Sequence, residues 1–175
     1  TLTGSAIIII NLNDVNENPV LAADFSREIF ENVPAGTIIP GGAITGTDVD
    51  AGQTLSYTIT ACEPAGECVT NPFVIDKISG VLSVGTNTNL NFERQNSYKL
   101  TVRATDSDPA DPLFAETSIL ISVKNRNDAP IAGTTNVRIG EDTAAGTILG
   151  FVSQSDEDAG ETHTYKFGSN NCWRY

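Results

Sequence analysis

The chain has no methionine, one histidine, one tryptophan and three cysteines among 175 residues. With His163 as its only histidine, a Ser/His/Asp triad lacks material. His163 lies in the strand-like run Thr162-His163-Thr164-Tyr165 and is expected to have no special role. A zinc site is not expected, because no second cysteine pair or nearby histidine offers four ligands. There is no glycine-rich phosphate loop and no Cys–His cluster. Trp173 is expected in a terminal core or tail rather than in a sugar-stacking platform. The longest apolar run, Ala6-Ile7-Ile8-Ile9-Ile10, is much too short to span a bilayer. It also lacks the basic flank and cleavage pattern of a signal peptide. Bases are scarce too: 10 Lys and Arg stand against 22 Asp and Glu, for a net charge of −12. That excess argues against nucleic acid, which needs basic patches, and against anionic membrane surfaces. The missing initiator methionine suggests a processed chain or a fragment of a longer protein.

What is present is alternation of apolar and polar residues with a period of two. Leu55-Tyr57-Ile59, Leu100-Val102-Ala104 and Ile119-Ile121-Val123 each alternate with polar neighbours, and only Leu120 spoils the polar face of the last. Tyr57, Phe73 and Tyr98 fall at core positions. Turn residues bound the runs at Gly52, Ser79-Gly80, Asn96-Ser97 and Asp106 to Pro112. Short strands at such spacing predict an all-β, antiparallel sandwich. A helix-like pattern from Phe25 to Asn32 is broken by Pro34 and reads better as an edge strand. Cys62 and Cys68 bracket the turn-rich Glu63-Pro64-Ala65-Gly66-Glu67. They either close a small disulfide or remain two thiols in a surface loop. Cys172 is left over.

The pattern repeats. Glu31-Asn32-Val33-Pro34-Ala35-Gly36-Thr37-Ile38 returns as Glu141-Asp142-Thr143-Ala144-Ala145-Gly146-Thr147-Ile148, an offset of 110 residues. Asp48-Val49-Asp50-Ala51-Gly52 returns as Asp156-Glu157-Asp158-Ala159-Gly160, an offset of 108, and Tyr57 answers to Tyr165. The polar strap Asn13-Asp14-Val15-Asn16-Glu17-Asn18-Pro19 returns as Lys124-Asn125-Arg126-Asn127-Asp128-Ala129-Pro130, an offset of 111. Each strap follows a strand-like run, Ala6 to Leu12 or Thr117 to Val123. The expected framing has four parts. Residues 1–18 are the last strand and linker of one unit, and 19–124 are a complete sandwich. Residues 125–130 are a linker, and 131–175 open a further, truncated unit. An incomplete sandwich buries little and should be poorly stable by itself.

The straps can neither pack nor run on as strands, since they are polar and proline removes a backbone donor. Alternating carboxylate and amide oxygens suit a hard cation such as Ca²⁺, which takes six to eight oxygens. Paired carboxylates also suit a glycosidase, but these acids sit in linkers and turns, where no closed cleft is implied.

In combination and order these motifs resemble the cadherin repeat across nearly all of residues 1–167. They are Glu31-Asn32-Val33-Pro34-Ala35-Gly36-Thr37, Asp48-Val49-Asp50, Phe73-Val74-Ile75-Asp76 with Ser79-Gly80-Val81-Leu82, Leu90-Asn91-Phe92-Glu93, and Tyr98 through Asp106, closed by the straps. The resemblance implies a Greek-key sandwich in tandem, no enzymatic activity, an extracellular or cell-surface location, and Ca²⁺ between successive repeats. Carried over by motif, Asp14, Asn16, Glu17, Asn18, Asp48, Asp50 and Asp106 are expected ligands at the first junction. Glu31, Glu93, Asn127, Asp128, Asp156 and Asp158 are expected at the second. Asn91 stands where the family usually has Asp, Asn125 replaces the first linker Asp, and Ala129 replaces a linker Asn. Weaker sites are therefore expected at the second junction. Both straps run one residue short before the proline. That shortening, with no adhesion tryptophan near the start and no Asn-x-Ser/Thr sequon, resembles a bacterial or otherwise atypical cadherin-like surface protein. The partners implied are neighbouring cadherin repeats and another cadherin-like protein in adhesion. The alternative is a surface polysaccharide, bound by a calcium-dependent carbohydrate-binding module of a secreted or matrix protein. No membrane insertion is expected for these residues.

Overall fold

The computed structural model describes residues 3–23, 26–69, 72–86 and 90–166. Cys172 and Trp173 lie outside the described residues. The chain divides into two compact units, Thr1–Asn125 and Arg126–Tyr175.

The first unit is a two-sheet sandwich. One sheet orders β2 (Ser26–Phe30), β9 (Phe114–Lys124), β8 (Ser97–Thr105) and β5 (Ser56–Glu63). The other orders β3 (Ile38–Ala43), β7 (Val81–Val84) and β6 (Phe73–Ile75). A short ladder joins β1 (Val20–Leu21) to β4 (Gly46–Thr47). Among the described residues, pairings are antiparallel except one: β2 lies parallel to β9, from Ser26 opposite Leu120 to Phe30 opposite Lys124. The expected sandwich is therefore present, and the Phe25–Asn32 region supplies its edge strand β2.

Period-two patterning explains the core. On β8, Tyr98, Leu100, Val102 and Ala104 point inward and are buried, and on β9 Ile119, Ile121 and Val123 do the same. Each such aliphatic side chain contributes roughly 1.5–3 kcal/mol. Phe73 and Tyr98 meet edge to face at 5.1 Å across the sheets. Leu120, the residue that interrupts the polar face, is exposed. Cys62 and Cys68 form a disulfide that closes the end of β5. One turn glycine is fixed by space. Gly80 has φ +69°, and a Cβ there would sit 2.2 Å from the Ile44 carbonyl oxygen.

Two strand expectations are corrected. Residues Ala6 to Leu12 join no ladder, and Ile8, Ile10 and Leu12 are 83%, 80% and 93% exposed. An apolar, β-branched run becomes a strand only where another strand supplies its hydrogen bonds. Residues 162–165 likewise form no strand.

The second unit has one ladder among its described residues, β10 (Ile131–Ala132) with β11 (Gln154–Ser155). It reproduces the β1–β4 ladder. Val20 faces Thr47 in one, and Ile131 faces Ser155 in the other. Among the described residues no helix is long and apolar enough to cross a membrane.

Candidate metal centres in the two units

In the first unit the strap before β1 is tied to two distant loops, β4–β5 and β8–β9. The Glu17 N–H donates to Asp50 Oδ2 at 2.9 Å, and the Asp50 N–H donates to Asp48 Oδ1 at 3.0 Å. The Asn16 amide donates to Asp106 Oδ2 at 3.0 Å and to the Asp111 carbonyl at 2.8 Å. Its oxygen accepts from Gln53 Nε2 at 2.6 Å. Asp14, Glu17 and Asp50 each present a carboxylate oxygen, all within 4.8 Å of one another. Local chemistry shapes these loops. Asp48 makes a turn over its own Asp-x-Asp segment, and Asp106 accepts from the Asp108 and Leu113 N–H groups. The Tyr57 hydroxyl accepts the Gly46 N–H at 3.1 Å, which holds β4 just before Asp48.

The electrostatics follow from crowding. The Glu17 carboxyl is raised above its ordinary range, first by its hydrogen bond with the Asp50 carboxylate, then by burial and by the charges of Asp50, Asp14 and Asp48. At Asp106 burial pushes upward, but donors from Asn16, Leu113 and Asp108 together outweigh it and hold the group below its ordinary value. Two oxygens in this neighbourhood, Asp48 Oδ2 and Gln53 Oε1, are buried and accept no hydrogen bond. Buried oxygens without donors, beside mutually repelling carboxylates, fit a hard cation.

The second unit repeats the circuit with equivalent residues. The Asp128 N–H donates to Asp158 Oδ2 at 2.5 Å, and the Asp158 N–H donates to Asp156 Oδ1 at 3.1 Å. Asp128 answers to Glu17, Asp156 to Asp48 and Asp158 to Asp50. The Asn127 amide donates to the Asp128 carbonyl at 2.9 Å. Asp156, Glu161 and His163 offer ligand atoms within 4.8 Å of one another, and His163 Nε2 lies 2.7 Å from Asp156 Oδ2. This contact corrects the expectation of a histidine with no role. Its hydrogen bond is the first cause that lowers the Asp156 carboxyl below its ordinary value, followed by the Asp158 N–H.

The remaining expected ligands are spread differently. Glu31 is fully buried at the end of β2, and its Oε2 accepts the Phe92 N–H at 2.7 Å. Glu31 and Glu93 oxygens lie within 4.8 Å of each other, and Glu93 accepts from the Asn125 amide at 2.8 Å. Asn18 is exposed. Sequence reasoning missed Gln53, Glu161, Asp111 and the partner of His163. Gln53 and Glu161 had a signal available, since both follow the glycine of Asp-x-Asp-Ala-Gly.

A family model for the cadherin domain matches residues 25–124. The chain belongs to the cadherin family. Human protocadherin alpha-6 is 29% identical to this cadherin over 164 residues, covering 91% of the chain and 17% of that protein. Human protocadherin Fat 4 is 33% identical over 177 residues, covering 95% of the chain and 3% of that protein. The chain thus spans less than a fifth of these curated relatives. The protocadherin gammaB4 extracellular domain superposes with a TM-score of 0.59 at 26% identity, over 84% of this chain and 25% of that one. Human desmocollin-1 gives 0.57 at 24% identity, over 83% and 27%, a likeness of fold alone. The expected family, the all-β sandwich and the extracellular setting are all borne out. Cadherin domains serve adhesion and generally bind calcium.

Proposed function

We propose that this chain is a calcium-binding tandem cadherin module, stiffened by Ca²⁺ at its two straps, that serves adhesion or spaces an adhesive tip from its anchor. The observation that carries the reading is the duplicated circuit, in which the same strap N–H meets the second acid of the same Asp-x-Asp loop in both units. Asp14, Asn16, Glu17, Asn18, Asp48, Asp50 and Asp106 would hold the first ion or ions. Glu31 and Glu93 in the first unit, and Asn127, Asp128, Asp156 and Asp158 in the second, are the further proposed ligands. Bound calcium supplies positive charge that cancels the repulsion of the gathered carboxylates. Ligands drawn from far apart in sequence are then fixed together, and any ion bound only by the ordered state stabilises it by mass action. In the 10⁻⁴–10⁻³ M range usual for extracellular modules, even weak sites fill.

The same reading takes residues 1–18 as the end of one repeat, 19–124 as a complete repeat, 125–130 as a linker and 131–175 as the opening of the next. Register supports it. At an offset of 111, Ile8, Ile10 and Leu12 align with Ile119, Ile121 and Val123, which are fully buried on β9. Other cadherin repeats are the proposed partners. A protocadherin gammaB7 fragment that superposes with a TM-score of 0.60 is described as a cis-dimer. The test is calorimetric titration with calcium of the chain and of its Asp50→Ala and Asp128→Ala variants. Each variant should lose or weaken a binding event. If neither does, the ligand assignment is wrong.

A further inference from the structure

We infer that the residue immediately after the Asp-x-Asp-Ala-Gly turn, Gln53 in the first unit and Glu161 in the second, is an additional oxygen ligand of each cation site. The inference rests on the calcium reading and extends it to side chains outside the carried-over set.

Gln53 lies five positions after Asp48, and Glu161 five after Asp156. Glycine between them bends the chain back; Gly52 has φ +84° and Gly160 +87°. In the first unit the turn returns the Gln53 side chain to the strap, and in the second it returns Glu161 to Asp156. Gln53 Nε2 sits 2.6 Å from Asn16 Oδ1, and the other end of the Asn16 amide holds Asp106. Gln53 Oε1 is buried without a donor, as is Asp48 Oδ2. A buried amide oxygen without a donor carries an uncompensated desolvation cost. A cation satisfies such an oxygen. A half-turn of the amide exchanges Nε2 for Oε1, so the atom facing Asn16 Oδ1 becomes an acceptor. Two carbonyl oxygens face each other only with a positive charge between them. The amide thus has two uses: its N–H end caps Asn16 without metal, and its oxygen end ligates with metal.

The second unit supplies the independent observation. There the equivalent side chain is a carboxylate, which has no N–H end. Glu161 nevertheless places its oxygen within 4.8 Å of Asp156 and His163 ligand atoms. An N–H-only role at this position is therefore not shared by the two units, whereas an oxygen is. His163, at the position where Leu55 stands in the first unit, closes the other side of Asp156 at 2.7 Å.

The full 175-residue chain tests this through Gln53→Ala, Gln53→Glu and Glu161→Ala, titrated with calcium by calorimetry. Terbium luminescence lifetimes in H₂O and D₂O count the waters on the ion. Thermal melts in chelator check the fold. Gln53→Ala should weaken one binding event by about tenfold and add about one water to the terbium. Gln53→Glu keeps an oxygen, loses the N–H and adds charge, so it should tighten the same event. Glu161→Ala should weaken a different event. If Gln53 merely positions Asn16 through its N–H, Gln53→Glu weakens binding as Gln53→Ala does, and the inference is overturned. Affinities and hydration within twofold of the parent for all three variants overturn it as well. A parent chain that binds no calcium removes the calcium reading itself, a result separable from either of those.

Discussion

Replacing Asp50 by Asn should stabilise the chain without calcium and destabilise it with calcium. Asp50 is 8% exposed, and its carboxylate lies within 4.8 Å of oxygens on Asp14 and Glu17. At that distance the Asp14 pair alone repels by about 0.9 kcal/mol at the dielectric of water, and by more where burial lowers it. Asn keeps an oxygen to accept the Glu17 N–H, so the hydrogen bond at 2.9 Å persists in neutral form. The Glu17 pair acts in the same direction. In chelator and low salt, relief of about 1 kcal/mol should raise the melting temperature of a domain this size by about 4–8 °C. In about 10 mM calcium the balance changes. A site with Kd of roughly 10⁻⁴–10⁻³ M gives the parent about 1.4–2.7 kcal/mol. A variant weakened about 100-fold keeps less than about 0.5 kcal/mol of that. The order of the two melting temperatures should therefore reverse between chelator and calcium. Circular dichroism melts of both proteins in both conditions read it directly. If Asp50→Asn ranks the same way in both, the acids do not share an ion, and the gathered carboxylates are only a solvated turn.

Two further outcomes follow from the same structure. Leu100→Ala, on the central strand β8 and fully buried, should cost about 2–5 kcal/mol in urea unfolding; a loss under about 1 kcal/mol would remove Leu100 from the core. Asp106 is held below its ordinary value, against burial, by Asn16, Leu113 and Asp108 donors. Its folded value lies below its unfolded one, so its contribution is complete above the unfolded value of about 3.9 and is lost as pH falls through the folded value. Asp106→Asn should flatten the loss of urea midpoint between about pH 5 and pH 2.5, measured in chelator; an unchanged acid slope would refute the assignment.

Legibility followed the range of the interaction. The buried face of β8 and β9 could be read because side-chain direction in a strand depends only on position parity. Turns at Ser79-Gly80 and Asp48-Val49-Asp50 could be read because Gly and Asp act on their own backbone. The parallel docking of β2 on β9 could not, because nothing local in Ser26 to Phe30 specifies the direction of a partner some 90 residues away. Ala6 to Leu12 failed for the same reason in reverse: its pattern is that of a strand, but strand formation belongs to a pair. Among site residues, the motifs named the acids, while the Asn16–Asp106 bond spans 90 positions. Gln53 was passed over because an amide after a glycine looks like an ordinary turn residue. His163 was misjudged because its partner, Asp156, was considered only as an acid of the repeat.

Within each unit the strap is already tied to its loop by peptide N–H donors, through Glu17 to Asp50 and through Asp128 to Asp158. A cation is therefore not needed to gather these groups. What the gathered groups lack is charge balance, as the raised Glu17 carboxyl shows. Backbone donors can satisfy only one lone pair each, and they leave Asp48 Oδ2 orphaned. An ion entering a site of this kind exchanges repulsion for attraction across contacts that already exist, so little chain movement accompanies it. The response to calcium should then appear as higher stability and slower opening of the straps, with secondary structure unchanged. A large calcium-induced gain in strand content would contradict that division of labour, in which peptide groups set the geometry and metal sets the energy.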